Sequence, residues 1–372
     1  MNSKFMEFIV FLPSSKTLSY SWNMGSMLGM FFFLQLLTGV LLVFYYGTDM
    51  NFESVQYIMY EVNWGWIVRV LHFNGASIFF LFLFLHFFKG FFMMSYRLVL
   101  VWLTGVVMIL VFMGVGFMGY VLVYSQMSYW AAVVITSFLT VLPAGETLVY
   151  FIWGGFSVVN QTLNFFFVLH FLIPWLMTVL IVLHLIFLHY TGSTSILYCH
   201  GDYDKIMFYP YFWYKDVMNM IVFFLFMVFM FFFPFDLGDV EMFVEHNILA
   251  SPVHIAPEWY FLFAYTILRA IPNKFLGVLG LIMSVGIAVF FILFKFEINS
   301  IFLKYSVFLF MFVCVVLTWL GANAPEPPYS ILGGWFTFFF FFFFLTFCIL
   351  VLLWSFLDTK FCLGLLILCF FL

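Results

Sequence analysis

Long apolar runs broken by short polar clusters make up most of this 372-residue chain. A bilayer core of about 30 Å is crossed by roughly 20 helical residues rising about 1.5 Å each. Eight stretches reach that length: 22–46, 66–93, 100–124, 163–190, 217–235, 276–296, 302–321 and 334–357. Proline, glycine and charge collect between them, most densely at 142–146, 233–257 and 321–328. The pattern predicts an all-α integral membrane protein with eight transmembrane helices.

Composition agrees. Hydrophobic residues make up 67% and charged ones 8%, whereas a soluble surface needs roughly a quarter of its residues charged. Aromatics reach 25%, with 62 Phe, which is read as codon bias of an AT-rich organellar genome rather than as a cofactor device. An even number of spans puts both termini on one side. Nine of the twelve basic residues fall there (Lys4, Lys16, Lys89, Arg97, Lys205, Lys215, Lys295, Lys304 and Lys360), leaving Arg69, Arg269 and Lys274 opposite, with ten of the sixteen acids. By the positive-inside rule the termini lie on the inner side. The start carries no cleavable targeting pattern. The scattered basic residues form no polybasic patch for nucleic acid. The five cysteines, Cys199, Cys314, Cys348, Cys362 and Cys369, show no metal-site spacing.

Four histidines sit inside apolar runs, where ionisable groups are costly and usually functional. His72 and His86 share the second span, His170 and His184 the fourth, and each pair is 14 residues apart. Fourteen residues return to within about 40° of one helix face and climb about 21 Å. The two spans run in the same direction, so His72 can face His170 at the outer level and His86 can face His184 at the inner level. Two imidazoles facing each other suit the axial positions of a haem that carries electrons and cannot bind oxygen. Interhelical hydrogen bonding explains one such histidine well but two matching pairs poorly. Gly25 and Gly39 on the first span, and Gly105 and Gly119 on the third, repeat the same 14-residue interval, as two haem edges lying close to a backbone would require. Cys-x-x-Cys-His is missing, and Cys199-His200 is taken as chance, so the haems are expected to be non-covalent.

These residues stand in strings that resemble the cytochrome b family of respiratory quinol:cytochrome c reductases. The strings are Ser21-Trp-Asn-Met-Gly25, His72-Phe-Asn-Gly-Ala-Ser-Ile78 through His86, Ile152-Trp-Gly-Gly-Phe-Ser157, His184 to His189 with Thr191-Gly-Ser193, Pro257-Glu-Trp-Tyr260 and Ile271-Pro-Asn-Lys274. The resemblance runs from about residue 20 to 335, and the unbroken chain matches the respiratory form rather than the split photosynthetic one. It implies a four-helix bundle around two stacked b haems at 22–200, preceded by an amphipathic segment at 1–21. A C-terminal membrane domain at 201–372 follows, with an outer loop carrying Pro-Glu-Trp-Tyr. It further implies quinol oxidation near the outer face and quinone reduction near the inner face, with ubiquinone as the quinone. The low-potential haem would sit at His72 and His170, the high-potential haem at His86 and His184. Glu258 and Tyr260, with Phe117, Tyr120 and Ile135, would form the outer site; His189, Ser193, Lys215 and Asp216 the inner one. Arg69 and Lys89 would meet the outer and inner propionates, and Lys274 would help dock an iron–sulfur head. The implied partners are a Rieske iron–sulfur protein, cytochrome c1, accessory subunits of complex III and a second copy, in the mitochondrial inner membrane with matrix-side termini.

Three departures stand out against the family pattern. Val123-Tyr-Ser125 replaces Pro-Trp-Gly beside the outer pocket, Ala131 replaces a glycine at the iron–sulfur docking surface, and Phe165 replaces an arginine near the outer haem. The last is expected to shift that haem's potential. Two rivals are a flavin-fed bis-histidine reductase, which needs a nucleotide-binding domain, and a proton-relaying transporter, which would bind no haem.

Overall fold

A computed structural model describes residues 12–196, 204–293 and 301–349. Lys4, Cys199-His200, Lys295, Lys360, Cys362, Cys369, the first part of the 1–21 segment and the far end of the last apolar run lie outside the described residues.

Among the described residues, eight helices are long and apolar enough to cross a membrane. They are α1 (Met24–Val43), α3 (Gly65–Phe92), α4 (Val99–Val121), α7 (Asn160–Thr191), the joined α8 (Tyr211–Val217) and α9 (Asn219–Phe232), α11 (Lys274–Gly286) with the 3-10 extension Ile287–Leu293, α12 (Ile301–Gly321) and α13 (Tyr329–Ile349). Helix is what lipid demands, because it satisfies every backbone polar group within the segment. The connections on the face opposite the start of the chain carry further helices: α2 (Asn51–Tyr60), α5 (Gln126–Ser137), α6 (Gly145–Trp153) and α10 (Trp259–Ala270). The hydropathy pattern alone does not separate these from loop. The fifth span begins at Tyr211 rather than 217, and the eighth at Tyr329 rather than 334. Interfacial Tyr, Trp, Lys and Asp lower local hydropathy there without breaking the helix.

Polar contacts sort the connections into two faces. On one face β1 (Pro13–Ser15) pairs antiparallel with β2 (Lys205–Met207), and Lys16 N–H donates to the Asp204 carbonyl at 3.1 Å. This joins the start of the chain to the segment after the fourth span, as an even number of crossings requires. On the other face Asn160 reaches the Asp49 carbonyl at 3.3 Å, and Gln126 N–H donates to the Val244 carbonyl at 2.8 Å. Lys274, an expected docking residue, ties the start of α11 to α5 through the Ser137 carbonyl and Thr140 Oγ1, at 3.4 and 3.1 Å.

Within the first four spans the closest packing is pairwise, α1 on α3 and α4 on α7. The two pairs face each other across a cleft, and that cleft holds the histidines. Phe31, Phe32, Phe79, Phe82 and Phe112 fill the space between its outer and inner levels. In the second half α10 packs on α11 and α12. Thr266 donates to the Leu317 carbonyl at 2.7 Å, and Arg269 to the carbonyls of Leu320 and Asn323 at 3.0 and 3.1 Å. An aromatic core around Phe91, Trp102, Phe291, Phe310 and Phe340 joins the halves, and Trp102 Nε1 donates to the Ala288 carbonyl at 2.8 Å.

Candidate functional site

The four membrane histidines meet in two layers. His72 and His170 lie with ring centres 6.3 Å apart, His86 and His184 with centres 6.5 Å apart. An imidazole nitrogen sits about 2.0 Å from a first-row metal with its ring centre about 1.2 Å behind, so two trans ligands of one iron have centres about 6.4 Å apart. Both layers fit that span. Each offers two nitrogen donors, the complement that a four-nitrogen macrocycle lacks.

The hydrogen-bond network decides which nitrogen is free. Thr38 Oγ1 lies 2.9 Å from His72 Nδ1 and gives its own proton to the Leu34 carbonyl at 2.7 Å. Thr104 Oγ1 lies 2.8 Å from His184 Nδ1 and donates to the Leu100 carbonyl at 2.8 Å. With the hydroxyl proton committed, each threonine can only accept, so Nδ1 carries the imidazole proton. His170 Nδ1 faces the Val115 carbonyl at 2.9 Å and is likewise a donor. Nε2 is left unprotonated on all three rings, the tautomer that ligates iron.

The four glycines face the same imidazoles. A Cβ at Gly119 would stand 2.5 Å from His170 Cε1, and one at Gly39 would stand 3.1 Å from His72 Cε1. At Gly25 and Gly105 the corresponding distances to His86 and His184 are 3.5 Å each. The outer layer is therefore the tighter. Gly119→Ala should displace His170 and, if that ring holds a haem, lower its occupancy by about 10-fold or more, the lower end of what losing a ligand-orienting contact costs. Gly25→Ala and Gly105→Ala should keep the inner haem, as dithionite-reduced spectra would record.

Around the His72–His170 layer lies a partly open cavity of about 170 Å³. It is lined by His72, His170, Gly39, Gly119, Arg69, Tyr120, Glu258 and Tyr260, so the outer histidines and the Pro-Glu-Trp-Tyr string share one chamber. Arg69 projects into it over Phe73, 5.6 Å from the ring centre. Tyr260 is buried and lies flat on Phe80, centres 4.0 Å apart and planes 7° apart. Glu258 immediately precedes α10, makes no side-chain capping hydrogen bond and is half-buried. Burial pushes its carboxyl up to about 7, with Asp239 adding to the rise and Arg69 opposing it. Phe117 and Ile135 do not line the chamber. Phe117 packs edge-on against Phe166 at 5.8 Å, and Ile135 is exposed on α5. Phe165 packs on Phe151 and Phe166.

The inner residues gather around the start of α1. Asp216 accepts from Ser26 Oγ at 2.6 Å, and Asn219 donates to the same hydroxyl at 2.9 Å. Lys215 Nζ donates to the Leu18 carbonyl at 2.5 Å, while its own carbonyl accepts from Asn23 at 2.6 Å. Trp22 Nε1 donates to the Thr194 carbonyl at 3.0 Å, next to Ser193. Lys89 stands 4.0 Å from the centre of the Trp22 ring. His189 is half-buried on the last turn of α7.

The family description "Cytochrome b/b6/petB" matches residues 9–192, and "Cytochrome b(C-terminal)/b6/petD" matches residues 245–341. The chain belongs to the cytochrome b family. It is 55% identical over 347 residues to cytochrome b of Caenorhabditis elegans, covering 91% of this chain and 94% of that one. Against cytochrome b of Apis mellifera ligustica it is 44% identical over 336 residues, covering 88% of each. A solved structure titled "Hyperthermophilic respiratory Complex III" superposes with a TM-score of 0.87 at 27% identity, covering 94% of this chain and 96% of that chain. As a cytochrome b, the chain is a multi-pass membrane protein of a multi-subunit oxidoreductase. It binds b-type haem and carries electrons between quinol and quinone in the Q cycle.

Sequence reasoning missed Thr38, Thr104, the Val115 carbonyl, Asp239 and Ser26. Thr38-Gly39 and Thr104-Gly105 carried a signal, since a threonine precedes one of the repeated glycines on each span. The others became visible only when distant segments came together.

Proposed function

We propose that this cytochrome b holds one haem between His72 and His170 and a second between His86 and His184. The carrying observation is the pair of imidazole layers, at 6.3 and 6.5 Å, whose facing rings would hold the haems and supply their nitrogen ligands. When bound, the haems supply one-electron carriage across the membrane, the outer at low and the inner at high potential. The protein's part is to place and tune them. Nδ1–H donation fixes the rings and raises their basicity, the five phenylalanines between the levels keep the path dry, and Arg69 and Lys89 offer positive charge to the outer and inner propionates.

At the outer site Glu258 takes the proton that leaves the quinol hydroxyl, and Tyr260 and Tyr120 form the polar wall beside it. At the inner site His189 and Asp216 give protons to the quinone oxygens while Ser193 and Lys215 orient the ring. Ubiquinone is the substrate we assign. An iron–sulfur protein takes the other electron from quinol and passes it to cytochrome c1, which makes this chain the catalytic subunit of quinol:cytochrome c oxidoreductase. Its setting is a homodimeric complex in the mitochondrial inner membrane, both termini facing the matrix. Residues 22–200 form the haem bundle and 201–372 the domain that completes both quinone sites. Nine of twelve basic residues on the face of the termini favour that orientation.

Potentiometry of two valine variants tests the layer assignment without removing a ligand. An acceptor at Nδ1 makes the imidazole a stronger donor to ferric iron, so its loss raises the midpoint potential. A hydrogen bond of about 1 kcal/mol corresponds to about 40 mV for a one-electron couple. Thr38→Val should raise only the low-potential midpoint and Thr104→Val only the high-potential one. A shift of the same midpoint by both variants would refute the assignment.

A further inference from the structure

Tyr124 has a left-handed backbone, φ 55°, a conformation that costs energy for a residue with a Cβ and persists only where its surroundings hold it. What holds it is a ring from a distant segment. His246 stacks on Tyr124 with centres 4.0 Å apart and on Tyr129 at 5.1 Å, with the planes tilted by 37° and 28°. The Tyr124 hydroxyl donates to the Val158 carbonyl at 3.3 Å.

The stretch 243–250 has little else to anchor it by side-chain burial. Phe243, Val244, Ile248 and Leu249 are all exposed, and His246 is the residue of that stretch that is not. Its Nδ1 is buried without a hydrogen-bond partner, and the imidazole also bonds to the Tyr124 backbone, so the ring faces and this contact together hold the two segments. Polar contacts reinforce the join. Gln126 accepts from Asn247 N–H at 2.7 Å and donates to the Ala250 carbonyl at 2.6 Å, and Ser125 Oγ contacts Met242 Sδ at 3.0 Å. Both joined segments reach the outer chamber, one through Val123 and the other through Met242, where they share it with Glu258 and Tyr260.

We propose that the Tyr124–His246–Tyr129 stack clamps residues 240–247 onto the end of the third span and so fixes the wall of the outer chamber, making His246 a positioning residue that sets affinity for the quinol ring. The proposal rests on the outer-site reading above. The clamp acts on the shape of the chamber before any proton or electron moves, so its loss weakens quinol binding and leaves the chemical step alone.

Steady-state cytochrome c reduction by the assembled complex, with a short-chain quinol varied at saturating cytochrome c, reads this directly. His246→Ala should raise KM about 5-fold or more with kcat within about 2-fold, the signature of lost uniform binding. His246→Phe keeps the stacked ring, which carries most of the clamp, and removes both ring nitrogens, and should restore KM to within about 2-fold of the parent. An unchanged KM in His246→Ala, or His246→Phe as impaired as His246→Ala, overturns the clamp. Should His246→Ala fail to assemble with haem, Tyr129→Ala removes one side of the stack, and its KM decides in the same way. Glu258→Gln, assayed in parallel, separates the two levels of the argument. Slow turnover there with an unchanged KM in His246→Ala removes the clamp alone, whereas normal turnover in Glu258→Gln removes the outer-site reading and the clamp with it.

Discussion

Replacing His86 or His184 with alanine should remove the proposed high-potential haem, leave the proposed low-potential one in place, and stop quinol turnover. Partners one bond further from a metal are worth about 10–100-fold in affinity, so loss of a ligand itself should exceed about 100-fold. The two layers are separate in space, with a phenylalanine core between them, so the loss should not spread. His72→Ala or His170→Ala should give the mirror outcome, keeping the inner haem. Difference spectra of the purified complexes would show one retained and one missing b haem in each case. Loss of both haems from every variant would mean that the layers do not fold independently and that ligand assignment by layer fails.

Glu258→Gln should slow quinol oxidation by about 100-fold at pH 8, the lower end of what a positioned general base contributes. The pH profile gives the sharper test. Burial raises the carboxyl to about 7, so it is protonated and unable to accept a proton below that value, and ionised and competent above it. Turnover of the parent complex should therefore rise through about pH 7. The glutamine variant should lose this rise, so the gap between the two narrows as pH falls. Asp239 contributes to the raised value, so Asp239→Asn should move the midpoint of the rise downward. A parent profile flat between pH 6 and 8 would remove Glu258 from the role of base.

The spans and the two facing layers of membrane histidines were legible in the sequence for one reason: lipid makes polarity rare, so each polar residue inside an apolar run carries information. A 14-residue repeat of His on two spans and Gly on two others survives any small error in span boundaries. Boundaries themselves were harder. Tyr211 to Asp216 reads as inner loop by hydropathy, yet it forms α8 and the beginning of the fifth span. The structure thereby sets Asp216 against Ser26.

Contacts between distant segments stayed hidden. Thr38 and Thr104 look like threonines that bond back to their own helix, and they do so, at Leu34 and Leu100. Their second bonds, to His72 and His184, depend on how α1 meets α3 and how α4 meets α7. The pairing of β1 with β2 joins residues about 190 positions apart and leaves no periodic trace. His246 lies in a polar connection where a histidine is unremarkable until Tyr124 and Tyr129 are found around it. Phe117 and Ile135 were assigned to the outer site through resemblance, and they do not line the chamber that holds Glu258.

The most direct test of the account is a pyridine haemochrome assay combined with a potentiometric titration on the purified complex containing the unmodified chain. Two b haems per chain are expected, titrating at two separate midpoints as one-electron couples. One haem per chain, or none, would contradict this and would return the four membrane histidines to interhelical hydrogen bonding or proton relay.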